Sequence, residues 1–600
     1  MTEYAAPLRD MMFVLDNLVD LPEILAYDRF GDVDEDTARG LLAEAARFLE
    51  EVWAPTNQVG DEAGLRLEGD EVIMPEVFHP AHQKFVEAGW NGFTGEAEYG
   101  GGGMPSALGA PLQEMTTSAN AALAMLPGLT IGAVDLIEAH ASDEQKHAFL
   151  PNMVTGSWSG TMNLTEPDAG SDVGALTTRA VRQDDGTYRI TGTKIFISFG
   201  EHDLTRQKVH LVLARTHDAP PGTKGISCFI VPKFLVEADG SLGARNDVKC
   251  LSIEHKMGIK ASPTCVMAYG EDSEGAIGYL VGEEHAGMRY MFTMMNQARL
   301  AVGISGIAIA ERAYQSALGY ARERVQGRPL GSPAGTTAPI VAHPDVRRML
   351  MTMKAYNEAM RAICFVNAAA LDRARFEPDA TRREECQQFA DLLTPITKAW
   401  CTDIGCEVAS LAIQVFGGMG YIEETGVSQF YRDLRIGSIY EGTNGIQALD
   451  LIGRKLPMAG GQPVFRLIAE MRALDGELAD RGRDFEVIRE RFSEAIGAVE
   501  KTTGWIMEHG LADPNDAAAG ASPYLRIWGH TLGAYYLAKS AIAADDLRRS
   551  GDGEDKAYLD AKVVTARFFA EQLLPQASAL VGAVTAGKDV LFAIDPDHLD

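Results

Sequence analysis

Six hundred residues exceed what one hydrophobic core can fill, so the chain is expected to divide into several packed units. Apolar residues make up 46% and charged ones 23%, an ordinary globular composition that excludes chain-wide disorder. A formal charge of −30 repels phosphate backbones and anionic lipid, so neither nucleic acid nor a membrane surface is an expected partner.

The N-terminal extension, 1–35, carries acidic residues throughout and no continuous apolar run, so no secretory signal is read there. Residues 36–158 read as a helical domain. Thr37 to Glu51 repeats Leu and Ala at helical spacing, and Ser142 to Met153 opens on a Ser cap with acids in its first turn. The run Gly100 to Gly103 lacks the Lys-Ser/Thr ending of a phosphate loop and reads as a plain flexible turn. Leu123 to Ile137, the most apolar stretch, is broken by Pro127 and Gly128 and falls short of a membrane span of about 20 residues.

Near Gly160 the texture changes. Residues 187–191, 194–198, 209–214 and 226–231 are short runs of β-branched and aromatic residues separated by Gly, Asp and Pro, which predicts a β domain over 159–283. Helical spacing returns over Arg299 to Val325, Arg347 to Asp372 and Phe389 to Val415, as in the four-helix bundle expected for 284–456. Pro457 to Pro463 reads as a linker, and 464–600 as an additional helical domain without a nucleophile motif or basic patch. The fold class expected is therefore multidomain α+β: an N-terminal helical domain, a central β-barrel or sandwich domain, a helical bundle and a further helical domain. The seven cysteines, from Cys228 to Cys406, include no C-x-x-C pair, so neither a metal site nor a disulfide framework is expected, and a reducing cytoplasmic location fits best.

Three segments carry chemistry. They are Met162-Asn-Leu-Thr-Glu-Pro-Asp-Ala-Gly-Ser-Asp172, Gly192-Thr-Lys-Ile-Phe-Ile-Ser198, and Tyr431-Arg-Asp433 followed by Ile439-Tyr-Glu-Gly-Thr-Asn-Gly-Ile-Gln447. Each alone has a bland reading: a capped turn, a core strand, a carboxylate at a helix end. In this order and spacing, over about residues 40 to 455, the chain resembles the acyl-CoA dehydrogenase family. The likeness extends to Glu254-His-Lys-Met-Gly-Ile-Lys260, Tyr320-Ala-Arg-Glu-Arg324 and Gln414-Val-Phe-Gly-Gly-Met-Gly420. Length and the extra C-terminal region place the resemblance nearest a bacterial subgroup that includes 3-methylmercaptopropionyl-CoA dehydrogenases.

The resemblance implies FAD-dependent α,β-dehydrogenation of an acyl-CoA thioester to its trans-2-enoyl product. Glu441 is then the catalytic base for the α-proton, and hydride passes to flavin N5. The thioester oxygen would meet the N–H of the base itself and a ribityl hydroxyl of FAD, donors of a kind worth roughly 3–4 kcal/mol each. The position at which some relatives carry the base instead is Ala298 here, which cannot act as one.

Cofactor contacts carried over are Leu164 and Thr165 at the flavin's pyrimidine edge, Phe196 in place of a Trp on the ring system, Ser198 in place of a Thr near N5, and Thr443. Ser171 matches a contact to the CoA chain, and Arg299, Tyr440 and Gly442 are taken with it as substrate-binding. Arg324, Gln414 and Gly418 match residues that reach the FAD diphosphate of a neighbouring subunit, which implies at least a homodimer, with a tetramer as the alternative. Two departures are Phe199, where the family commonly has Asn, and the missing Phe after Gln326.

The expected partners are an acyl-CoA of short or medium chain, 3-methylmercaptopropionyl-CoA among them, and an electron-transfer flavoprotein. The alternatives are an acyl-CoA oxidase that passes electrons to O2, and a DNA-associated alkylation-response flavoprotein, which predicts a basic C-terminal unit.

Overall fold

Helices dominate both ends of the chain and strands occupy its middle, in a computed structural model that describes residues 4–237, 239–551 and 555–600. The order helical, β, helical bundle and further helices is the one expected. By internal packing the chain forms two compact units: Glu44–Met104 with Met115–Ala301, and Met1–Ala43 with Pro105–Glu114 and Val302–Asp600.

The first of these units is built on an eight-stranded sheet. Its strands are β1 (Trp158–Asn163), β2 (Arg179–Arg182), β3 (Tyr188–Ser198), β4 (Gln207–Arg215), β5 (Ile226–Pro232), β6 (Val248–Ile253), β7 (Thr264–Tyr269) and β8 (Ala276–Leu280). The order is β6-β7-β3-β8-β5-β4-β1, and β2 pairs with both β3 and β4, so the pairing closes into a barrel. The two runs 187–191 and 194–198 are one strand, because Gly192, at φ 153°, carries the extended chain through.

Against β1, β4 and β5 pack the helices Ala121–His140 and Asp143–Val154, in a core that includes Val134, Ile137, Leu150, Met153, Leu211 and Ile230. Ser142 caps the second helix in a full capping box with Gln145, as its sequence predicts. Pro127 and Gly128 do not break the apolar stretch, contrary to expectation. The helix runs 20 residues through both, capped by Asn120, and is long and apolar enough by composition to cross a membrane; here it is mostly buried in protein.

The glycine run also differs from the turn expected. Gly101, Gly102, Gly103 and Met104 donate to Glu96, Gly92, Gly95 and Phe93 in a backbone ladder, and a Cβ on Gly101 would lie 2.2 Å from the Gly95 carbonyl oxygen. The residues are glycine because two backbones meet there.

The other unit is helical. Long helices span Pro344–Phe376, Ala380–Phe416, Arg483–Ala512 and Ala521–Ser550. Trp400, Tyr356, His530 and Phe569 fill its centre, and Gly529 lets the last of these helices approach Trp400, whose ring a Cβ would meet at 2.2 Å. A buried ion cluster joins distant parts of the chain. The Arg361 guanidinium donates to Glu114 (2.6 Å), Glu311 (3.1 Å) and Asp10 (2.5 Å), while Lys562 pairs with Asp10 and with Glu358 (3.1 Å). The N-terminal extension is thereby fixed to the C-terminal helices.

Candidate functional site

In the β unit, Leu164 and Thr165 follow β1, and both of their carbonyls are tied to β3. The Lys194 ammonium donates to the Leu164 carbonyl (3.0 Å), and the Ile195 N–H donates to that of Thr165 (2.9 Å). Among the described residues neither the Thr165 N–H nor its hydroxyl has a partner, and the same holds for the Ser198 hydroxyl. These are the polar groups this surface offers to a ligand.

One residue further along, β3 carries a bulge. Met267 pairs with Lys194 and Cys265 with Ile197, so Ile195 and Phe196 together face the single residue Val266. Strand alternation puts Tyr188, Ile190 and Lys194 inward; the bulge reverses the phase, turning Ile197 in and Phe196 out. Phe196 sits at φ 58° with 59% of its surface exposed. A bulky aromatic held in the left-handed region and facing outward is strain of the kind that collects at binding sites. An open aromatic face beside free amide and hydroxyl donors fits a flat heterocycle with a hydrogen-bonding edge.

Lys194 is fully buried, and so is its partner Glu166, at 2.8 Å. Glu166 also accepts from the N–H and hydroxyl of Thr177 (2.6 and 2.7 Å) and of Thr178 (3.0 and 2.5 Å). Burial alone would raise this carboxyl, but the Lys194 charge and the threonine donors bring it down to about 2. Burial lowers Lys194 to about 8 against the pull of Glu166, so the two are an ion pair at neutral pH. Neither was assigned a role from sequence. The signal was available: a lysine in phase with Tyr188 and Ile190 points into a barrel and needs an anion there.

Ser171 lies exposed on the following loop, and Arg299 is buried on the helix Gly287–Glu323 with its guanidinium 6.0 Å from the Phe292 ring. Phe199, the departure from the family pattern, is fully buried at φ 51° with its ring edge-on to His202.

In the helical unit, Tyr440, Glu441, Gly442 and Thr443 form a half-buried loop between a 3-10 turn ending at Ser438 and the short helix Asn444–Asp450. Glu441 is itself at positive φ (57°), followed by Gly442 at 77°. Thr443 caps the short helix. Asn444 anchors the loop on the helix Ala380–Phe416. Its carboxamide donates to the Ala399 carbonyl (3.1 Å), Thr402 (3.0 Å) and Asp403 (2.7 Å), and accepts from Lys398 (2.8 Å). Gln447 donates back to the Gly442 carbonyl (3.1 Å). Burial, with the neighbouring Glu441 carboxylate adding to it, pushes the Tyr440 phenol up and keeps it protonated. Sequence reasoning singled out Glu441 but not the two amides that hold its loop.

Arg324, Gln414 and Gly418 are all exposed. They come from neighbouring helix ends joined by the stacked rings of Tyr320 and Phe416, 4.2 Å apart. Large apolar side chains stand exposed beside them in sequence: Val325, Leu330, Met419, Tyr421 and Ile422. Among the described residues no group of His, Cys, Asp and Glu is arranged to hold a metal ion, and all seven cysteines are free.

The β unit presents an exposed aromatic with free donors, and the helical unit carries a glutamate at positive φ in an anchored loop. Comparison with known proteins gives the family. Four acyl-CoA dehydrogenase family models match in sequence: the N-terminal domain over residues 35–157, the middle domain over 161–270, the C-terminal domain over 285–456, and the acetyl-CoA dehydrogenase C-terminal-like domain over 467–595. The chain belongs to the acyl-CoA dehydrogenase family, whose members are FAD-dependent.

It is 47% identical to 3-methylmercaptopropionyl-CoA dehydrogenase of Ruegeria pomeroyi, over 98% of this chain and 99% of that one. It is 34% identical to the broad-specificity linear acyl-CoA dehydrogenase FadE5 of Mycobacterium tuberculosis, over 100% and 99%. Among solved structures, Caenorhabditis elegans ACDH-11 in complex with C11-CoA superposes with a TM-score of 0.76 over 100% of this chain and 96% of that one; at 18% identity it shows the shared fold.

Proposed function

We propose that the protein oxidises a short acyl-CoA thioester to the trans-2-enoyl-CoA, with Glu441 taking the α-proton. The observation that carries this reading is the Glu441 loop. Glu441 stands at positive φ in a loop that Asn444 ties to the helix Ala380–Phe416 and Gln447 ties at the Gly442 carbonyl, so the backbone that carries the base is set before substrate arrives. As the α-proton leaves, negative charge gathers on the thioester oxygen, and by family resemblance the backbone N–H of Glu441 would meet it. The hydride acceptor, which no side chain provides, is FAD. In the β unit Thr165 and Ser198 would supply its hydrogen bonds and Phe196 its stacking face, with Leu164 beside them, and Thr443 of the helical unit would be a further contact. Ser171, Arg299, Tyr440 and Gly442 serve the acyl-CoA.

The 47% identity to a 3-methylmercaptopropionyl-CoA dehydrogenase over nearly the full length supports a short chain carrying a thioether. A likeness to a solved chain from work on the electron transferring flavoprotein of Acidaminococcus fermentans, 25% identical with a TM-score of 0.57, supports an electron-transfer flavoprotein as the acceptor. Exposed Arg324, Gln414 and Gly418, with five exposed apolar neighbours, support a homodimer in which these residues complete the partner's FAD site. The test is an anaerobic titration of the FAD-loaded protein with acyl-CoAs from butyryl to palmitoyl and with 3-methylmercaptopropionyl-CoA. Bleaching of the flavin by the thioether substrate and the shortest chains is expected. Bleaching by palmitoyl-CoA alone would refute the substrate, and no bleaching by any thioester would refute the reaction.

A further inference from the structure

A buried ion pair is weak evidence for stability, because desolvating both charges offsets most of their attraction. Glu166 and Lys194 are nevertheless buried together, and the carboxylate takes five donors. Their place in the chain suggests what they do. Lys194 immediately precedes the β-bulge, so it stands two residues from Phe196, while its ammonium holds the Leu164 carbonyl and its partner Glu166 directly follows Thr165. One pair thus ties the loop that offers the Thr165 donors to the strand that offers the Phe196 ring.

We propose that the Glu166–Lys194 pair is the positioning device of the flavin site, fixing the register between the Leu164–Thr165 segment and the Phe196 bulge and so setting flavin affinity and reduction potential. With the pair intact, both carbonyls of 164–165 point at β3 and only N–H and hydroxyl groups remain for the ligand. Without it, the Leu164 carbonyl is released and can turn toward the ligand, where an acceptor would oppose the carbonyl edge of a pyrimidine ring. The strained Phe196 stands two residues from Lys194 on the same strand, and a positioning network left to relax loosens the groups it supports.

The inference rests on the reading that this face binds FAD, and the experiment separates the two. FAD dissociation, the visible flavin spectrum and the flavin reduction potential are measured on wild type and on the charge-neutral double variant Glu166→Gln/Lys194→Met, which keeps both side-chain shapes. The expected result is a folded protein with the wild-type circular dichroism, an FAD Kd raised about tenfold or more, a shifted absorption band and a changed potential. Should the double variant not fold, Thr178→Val removes one neutral donor from Glu166 and carries the same readouts in smaller measure. Wild-type Kd, spectrum and potential in the folded variant would show the pair to be structural and overturn the inference. A wild-type protein that binds no FAD would instead remove the functional reading itself.

Discussion

Phe196 and Glu441 are both non-glycine residues at positive φ, and the two compact units hold them by different means. In the β unit an ion pair ties the strand to the loop beside it; in the helical unit a carboxamide, Asn444, stands between Lys398 and Asp403 and ties a loop to a helix, while Gln447 closes the loop at Gly442. A larger cluster of buried charges in the helical unit lies around Arg361, where it joins the N-terminal extension, the bundle and the C-terminal helices. The same interaction therefore serves a ligand-facing loop in one unit and assembly in the other. What a buried ion pair does depends on which backbone its atoms grip.

The units also differ in how acid acts on them, and this gives the largest expected effect. Burial holds His82 at about 4, His210 at about 3 and His202 well below its ordinary value, all in the β unit. A histidine with a lowered folded pKa contributes stability that is complete above 6.5 and is lost as pH falls toward the folded value, up to about 2 kcal/mol each by pH 5. Among the described residues the helical unit has one such residue, His530 at about 4, set against three carboxyls that burial raises: Glu114 to about 7, Asp372 to about 6, and Glu470. Raised carboxyls act oppositely: the folded state holds their proton more tightly, so stability is gained as pH falls through the folded value. Hydrogen exchange at pH 5 is expected to show the β unit opening well before the helical one; simultaneous opening would break the comparison.

Arg361→Leu comes next. It leaves the carboxylates of Asp10, Glu114 and Glu311 buried around an apolar side chain, at a cost of about 3–5 kcal/mol. The chemical-denaturation transition of the helical unit should move to lower denaturant, whereas an unchanged midpoint would mean that the cluster holds nothing together.

The smallest effect sharpens the contrast most. Asn444→Ala frees the Glu441 loop and takes a partner from Lys398 and from Asp403, and the rate of flavin bleaching by substrate should fall about 10- to 100-fold with FAD content unaltered. A variant that loses its FAD instead would show that the carboxamide serves the cofactor.

Much of this was legible in the sequence. The order of helical and β regions followed from period and composition, and Glu441 stood out through the segments around it. What was not legible depended on contacts between distant segments. The phase reversal at Phe196 comes from a bulge opposite Val266, 70 residues away, and strand alternation alone puts that ring inside. The four glycines read as a loose turn because nothing local shows that residues 92–96 lie against them. Pro127 reads as a helix breaker, yet a helix packed on β1 and β4 tolerates the one hydrogen bond it loses. Lys194 and Glu166 were in plain view inside two of the telling segments. Their pairing required knowing that both point into the barrel.

The central claim is that Glu441 moves the α-proton. Its most direct test is solvent exchange: FAD-loaded protein is incubated anaerobically in D2O with a thioester that it reduces reversibly, and deuterium at the α-carbon is followed by mass spectrometry in wild type and in Glu441→Gln. The account predicts incorporation by wild type and a rate lowered by at least about 10²-fold in the variant, with FAD still bound. Deuterium entering at the wild-type rate in Glu441→Gln would mean that another group is the base.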